Sequence, residues 1–343
     1  MRVITFGEIM LRLSPPGHLR LTQTDRFDAS FGGSESNVAV SLANFGFDVD
    51  FVTCLPENEV GDACLQYLRR YAVGTRYVVR GGDRIGIYFL EHGAVHRGSK
   101  VIYDRRGSAV AGMEPGVVDW REVFEGGDWF HWTGITPAIS EGAADVCLEA
   151  VRAAKEHGLR VSCDLNYRAK LWKWGKSAGE VMEHMVGLCD MAIANEEDAA
   201  QVFGIHAPDT DVTSGRLEAD KYQHVCRALS ERFPNLGTIA ITLRGSISAS
   251  HNTWSGILWH NGELFRGATY DITHIVDRVG AGDAFVGGLI YGLNAFGDDY
   301  QRSLEFAIAA SCLKHTIPGD LNLVGVGEVE KVIRGDTSGR VIR

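Results

Sequence analysis

Short apolar runs and longer amphipathic ones alternate along most of this chain, and that alternation predicts its elements. Val3 to Phe6 reads as a buried strand ended by Gly7 and Glu8, and Phe51 to Cys54 as a second. Between them Ser34 or Ser36 is expected to cap a helix running through Phe45 and closed by Gly46; Asn58 or Asp62 opens another to about Tyr71. From Asp128 the pattern is regular. W-F-H-W-T-G gives a strand ending at Gly134, Ser140 to His157 a helix stopped by Gly158, and R-V-S-C-D-L-N-Y-R a strand whose last residues turn polar. D-M-A-I-A-N-E-E-D-A is a strand running into acidic residues that start a helix, Leu217 to Arg232 an amphipathic helix, and G-T-I-A-I-T-L-R-G a strand into a glycine turn. Further helices are expected after Asp283, over Tyr300 to His315 and near Val326 to Arg334. Alternation of this kind specifies an α/β fold, a mostly parallel central sheet with helices on both faces.

Other segments read differently. Met10 to Phe31 is too polar for a core strand and lacks helical periodicity, so exposed strands or a loop are expected. Arg76 to Arg106 alternates and carries glycine turns, as antiparallel strands do. Roughly residues 12–31 and 76–108 therefore form a small β lid inserted into a single domain spanning 1–343, with no internal repeat or low-complexity linker. Ser246 to Gly267 predicts short antiparallel edge strands with a hairpin at Asn261-Gly262.

Composition narrows the function classes. A 45% hydrophobic and 23% charged content suits a globular protein with a real core. The net charge of −10 disfavours nucleic-acid and anionic-membrane partners, so an anionic substrate must be met by locally placed Arg or Lys. The seven cysteines are scattered without a C-x-x-C pair, which reads as reduced and cytosolic. The N-terminal run lacks the apolar core of a signal peptide, and no run approaches a membrane span.

The chemistry concentrates in Asp277 to Gly288, D-R-V-G-A-G-D-A-F-V-G-G. Gly280 and Gly282 allow close backbone approach just where a helix begins, and the free N–H groups of a helix start bind anions. A carboxylate beside a bound phosphate repels it unless it takes a proton there, which makes Asp283 a candidate base. The same residues would also serve as an ordinary helix cap. There is no G-x-x-x-x-G-K-[ST], no strand-borne G-x-G-x-x-G, no H-E-x-x-H and no G-x-S-x-G, which removes the common readings those motifs carry. Asn195, Glu196, Glu197 and Asp198 form an acidic helix start that matches the helix dipole or supports a hydrated Mg²⁺.

The string D-x-x-G-A-G-D-x-F-x-x-G resembles the C-terminal signature of the PfkB (ribokinase-like) carbohydrate kinases. The resemblance implies that Asp283 deprotonates a sugar hydroxyl while Gly280, Ala281 and Gly282 form the anion hole. G-G-x-x-x-N-x-A, with Gly32, Gly33 and Asn37, is similar to the family's sugar-binding motif. Asn195 and Asp198 match its N-x-x-E motif with Asp in place of the final Glu, leaving Asp198 or Glu197 to hold the metal through water. Thr242, Arg244 and Gly245 match its nucleotide-binding turn, and Asn166 is placed with the nucleotide as well. Across residues 1 to 334 the chain looks like the 2-keto-3-deoxygluconate kinases within that family. That likeness implies sugar-acid contacts from Tyr88, Tyr103, Arg105, Arg168 and Asp320, with ATP, Mg²⁺ and a monovalent cation as accompanying species. It also implies a homodimer or larger homo-oligomer formed through the lid. A kinase for a neutral ketose or nucleoside is the alternative, because only a sugar acid needs a guanidinium for its carboxylate.

Overall fold

The computed structural model describes residues 1–207 and 219–336. Its main sheet has nine strands. Eight follow one another in the order Glu263–Arg266, His251–His260, Thr238–Ser248, Met191–Ala194, Arg160–Asp164, Trp129–Thr133, Arg2–Phe6, Asp48–Val52; Tyr270–Ile272 pairs with the opposite end of His251–His260. Pairing is parallel from Thr238–Ser248 to Asp48–Val52, and antiparallel beyond.

Parallel strands covered on both sides bury every position, as Arg2–Phe6 and Trp129–Thr133 do. Successive side chains point to opposite faces, so each strand feeds two cores. Ile4, Phe130, Trp132 and Ile239 pack with the helices Glu141–Glu156, Ala178–Val186 and Ala219–Arg232. Val3, Trp129, Ile193 and Ala240 pack on the other face with Ser34–Asn44, Glu59–Arg70, Ala281–Ala295 and Tyr300–Lys314.

Two expectations about the main sheet and its covering helices are corrected. The strand from Thr238 does not stop at a glycine turn: it runs through Gly245 to Ser248 because His251–His260 pairs with it along its whole length. Neither Ser34 nor Ser36 caps the first helix. Gly33 is the N-cap, and the Ser36 hydroxyl donates to the Gly33 carbonyl instead. The hairpin at Asn261-Gly262 is present, both residues having positive φ as its tight turn requires. Leu217, where a helix was expected to begin, lies outside the described residues, and the helix is described from Ala219.

A separate four-stranded sheet has the order Asp28–Gly32, Met10–Ser14, Gly86–Glu91, Lys100–Asp104. Its central pairing is parallel and the outer two antiparallel. Val79–Arg80 pairs instead with Cys54–Leu55, in parallel, so the antiparallel reading of the Arg76 to Arg106 segment does not extend to them. All seven cysteines are unpaired thiols. No helix among the described residues is long and apolar enough to cross a membrane.

Candidate active site

The carboxyl ends of the parallel strands face the small sheet, and a cavity of about 530 Å³ lies between them. Open α/β sheets place ligands at that edge. Gly32, Gly33, Asn37, Tyr88, Tyr103, Arg105, Asn166, Arg168 and Asp320 all line it. So do Asn195, Glu197, Asp198, Thr242, Arg244, Gly280, Ala281, Gly282 and Asp283. Gly245 does not, because it sits inside its strand opposite Thr253.

Gly280 caps the helix Ala281–Ala295 with φ 82°, and a Cβ there would lie 1.9 Å from the carbonyl oxygen of Asp320. Only glycine satisfies both the left-handed backbone and that contact. A Cβ on Gly282 would meet nothing within 4 Å, so the first turn of the helix faces open space. Ala281 N reaches back to the Arg278 carbonyl only at 3.4 Å, a long bond, and the regular bonding of the helix begins with Ala284 N on the Gly280 carbonyl at 2.9 Å. Half-buried in the same turn, the Asp283 carboxylate accepts from the Ser34 hydroxyl and, at 2.7 Å, from Asn37 Nδ2. Asn166, with φ 39°, donates through Nδ2 to the Ser34 oxygen at 3.1 Å. Burial pushes the Asp283 carboxyl above the usual carboxylate range, and the two hydrogen bonds pull it back.

Beneath this turn lies a buried charge network that sequence reading missed. Arg12 pairs with both Asp277 and Asp320, Tyr88 donates its hydroxyl to Asp320, and Val279 N donates to Asp277 at 3.0 Å. The alternation M-L-R-L-S was the available signal: it puts Arg12 on one face with Met10 and Ser14, and all three are buried.

The two arginines of the small-molecule end differ. Arg105 is buried and ion-paired with Glu8, whose carboxylate also accepts from Ser108; its guanidinium lies 5.6 Å from the ring centre of the exposed Tyr103. Arg168 is exposed, donates to the Tyr167 carbonyl at 2.8 Å, and has no carboxylate within ion-pairing distance among the described residues. Glu8 and Ser34 went unrecognised in the sequence because neither stands in a charge pattern or in the role its helix position suggested.

At the opposite end, Asn195 accepts from the backbone N–H groups of Glu197 and Asp198, and Asp198 from those of Asn195 and Tyr167. Both Asp198 oxygens are thus engaged, whereas Glu197 is exposed. Burial raises the Asp198 carboxyl, and it raises the half-buried Glu196 against the pull of Arg244. Asp164 is pushed up by burial and by Asp198 and Asp283. No group of three or more His, Cys, Asp or Glu among the described residues could hold a metal by itself. Mg²⁺ keeps several waters and takes oxygens from phosphates, so a few cavity carboxylates suit it.

The doubly covered sheet and the glycine-lined helix start make a site that can take a phosphate beside an aspartate. The model of the pfkB family carbohydrate kinases matches residues 1–323, and the chain belongs to that family. It is 48% identical to the crystal structure of 2-dehydro-3-deoxygluconokinase from Thermotoga maritima, with TM-score 0.92, covering 98% of this chain and 100% of that one. It is 32% identical to 2-dehydro-3-deoxygalactonokinase of Haloferax volcanii over 98% of each chain. The 2-dehydro-3-deoxygluconokinase of Thermoproteus tenax is 28% identical over 93% of this chain and 89% of its own.

Proposed function

We propose that the protein transfers the γ-phosphoryl group of ATP to the terminal hydroxyl of 2-keto-3-deoxygluconate, giving the 6-phosphate and ADP. The observation that carries the sugar-acid part is Arg168, a cavity guanidinium with no carboxylate within ion-pairing distance among the described residues. Arg105, balanced by Glu8, adds no uncompensated charge. The charge of Arg168 also acts on Asp164, Asp198 and Asp283 from a distance, but a substrate carboxylate can pair with it directly, as a neutral ketose cannot.

Asp283 takes the hydroxyl proton as the oxygen attacks the γ-phosphorus, the new P–O bond forming as the bond to the β-phosphate oxygen breaks. The N–H groups of Gly280, Ala281 and Gly282 hold the negative charge that develops. Ser34 and Asn37 keep the Asp283 carboxylate oriented, and Gly32, Gly33, Tyr88, Tyr103 and Asp320 shape the sugar end. Asn166, Asn195, Thr242 and Arg244 face the nucleotide. Glu197 or Asp198 would hold Mg²⁺ through water, and the bound ion would neutralise phosphate charge.

The small sheet serves as a lid. Its outer face leaves Phe27 and Ile102 exposed and Leu13 and Phe89 half-exposed, a surface for a second copy of the chain. Ile102→Lys is expected to convert a dimer to a monomer in light scattering.

The Haloferax volcanii relative favours a second reading, in which the galactonate epimer is the better acceptor. A substrate panel of both epimers, fructose and ribose, run on wild type and Arg168→Ala, tests the reading. Arg168→Ala should raise KM for the keto-acids at least about tenfold, the loss of one charge-assisted pair. An unchanged KM, or fructose as the preferred acceptor, overturns the sugar-acid assignment.

A further inference from the structure

Lys314 ends the helix Tyr300–Lys314 and has no solvent exposure, the one lysine so placed among the described residues. Its Nζ donates to the carbonyl oxygens of Asp277 and Ile317, each at 3.2 Å. Those carbonyls lie in the two segments that shape the helix start. One runs from Asp277 to Gly280; the other runs from Ile317 to Asp320, whose carbonyl excludes any Cβ at Gly280. The segments are also joined through the backbone. Val276 N and Asp277 N both donate to the His315 carbonyl, at 2.8 and 3.3 Å, and Gly319 N donates to the Asp277 carboxylate at 3.1 Å.

Packing alone does not explain a lysine here, since an apolar residue fills such space without burying charge. The charge count does. Arg12 supplies one positive charge against Asp277 and Asp320, and Lys314 supplies the second. Burial pushes the Lys314 ammonium below its ordinary pKa, while Asp277 and Asp320 push it back up. His92, 3.9 Å from Asp277, and Arg278 also act there, but among these cations Lys314 is the one whose charged atom is bound to the carbonyls of both segments. Carbonyl oxygens that satisfy an ammonium are also the ligands a dissolved potassium ion seeks.

We propose that Lys314 is a built-in monovalent cation: it fixes the Asp277–Gly280 turn in its anion-binding shape, so phosphoryl transfer requires no dissolved potassium or ammonium ion. Lys314 is a positioning residue acting through Asp277 and Gly280. The inference rests on the reading of Gly280 to Gly282 as the anion hole.

Wild type, Lys314→Ala and Lys314→Met are assayed for ADP release with Mg²⁺ present and tetramethylammonium as the background salt. Each is then titrated with potassium and ammonium chloride. Wild-type turnover is expected to stay within about twofold throughout. Both variants should lose at least about tenfold in kcat, short of the roughly hundredfold that a direct oxyanion donor supplies. Lys314→Ala opens room for an ion and should regain rate saturably with potassium or ammonium. Lys314→Met fills the space and should not. Folding of each is checked by thermal unfolding. A wild type that requires potassium, a folded variant with wild-type kcat, or a Lys314→Ala that no cation restores overturns the proposal. If neither variant folds, the wild-type titration decides alone, a flat response supporting the inference and a potassium requirement ending it. Absence of any sugar-acid turnover by wild type would instead count against the kinase reading.

Discussion

Asn37 Nδ2 lies 2.7 Å from Asp283 Oδ2, joining the first helix of the chain to the helix that begins at Ala281 across 246 positions of sequence. With the Ser34 hydroxyl it holds the carboxylate while burial favours the neutral acid. Burial makes this carboxylate more basic than usual, and the two donors oppose that by favouring its ionised form. Asp283→Asn keeps the shape and removes the proton acceptor. Turnover should fall about a thousandfold, within the range general bases contribute. Titration calorimetry should show ATP affinity little changed; wild-type kcat in this variant would discard Asp283 as the base.

Ser34→Ala tests the same balance through pH. The hydroxyl stabilises the ionised form, so its loss raises the pKa of Asp283 further. The reactive form is the carboxylate, present above that pKa. The acid limb of the kcat/KM profile should therefore move to higher pH by roughly one unit, while the alkaline limb stays in place. A limb that moves down, or not at all, contradicts the assignment.

Gly280→Ala should lose both function and stability. The left-handed backbone alone costs roughly 1–2 kcal/mol for a residue with a Cβ, and the contact with the Asp320 carbonyl adds to that. Gly282→Ala, whose Cβ meets nothing within 4 Å, should unfold at nearly the wild-type temperature yet bind ATP more weakly. Equal unfolding temperatures for the two variants would refute this account.

Arg12→Met leaves Asp277 and Asp320 buried without the guanidinium that bridges them. Removing one partner of a buried ion pair costs about 3–5 kcal/mol. Urea unfolding should show a loss of that order. A loss under about 1 kcal/mol, the range of a surface pair, would mean that the network relaxes by admitting water.

Glu35 gives a pH dependence of stability. Its carboxylate is fully buried, accepts from Thr133 and Thr136, and fits only because Gly7 has no side chain, a Cβ there coming within 2.1 Å. Burial raises it from 4.5 to about 7. Between those values the folded protein keeps a proton that the unfolded chain has released, so this residue's contribution falls as pH rises. The drop is on the order of 3 kcal/mol across the window. Glu35→Gln should lessen it, gaining stability relative to wild type at pH 8 more than at pH 5. The opposite trend in unfolding temperatures would rule it out.

Hydrophobic periodicity made the doubly covered sheet legible, because parallel strands buried on both faces leave short continuous apolar runs such as Val3 to Phe6. The glycine string from Asp277 made the anion-binding turn legible, since its need for missing side chains is local. Thr238–Ser248 was misjudged where an antiparallel partner overrode the turn preference of Gly245. Arg12 was invisible for a different reason. Its partners stand 265 and 308 positions away, and no local pattern marks a cation whose counter-charges lie in the last quarter of the chain. Asn37, expected at the sugar, lines the cavity and donates one amide N–H to Asp283 as well, a bond across 246 positions that no local pattern marks.

Those same separations bear on how the protein is made. A ribosome that has released residue 272 has delivered the whole main sheet, but Arg12 still has neither of its carboxylates. The acceptor pocket closes only when the final segment threads back to the first, a contact of very long loop length and slow closure. Truncated or nicked products should therefore collapse into a folded sheet with an unfinished mouth, the state in which chaperone capture and aggregation compete with completion.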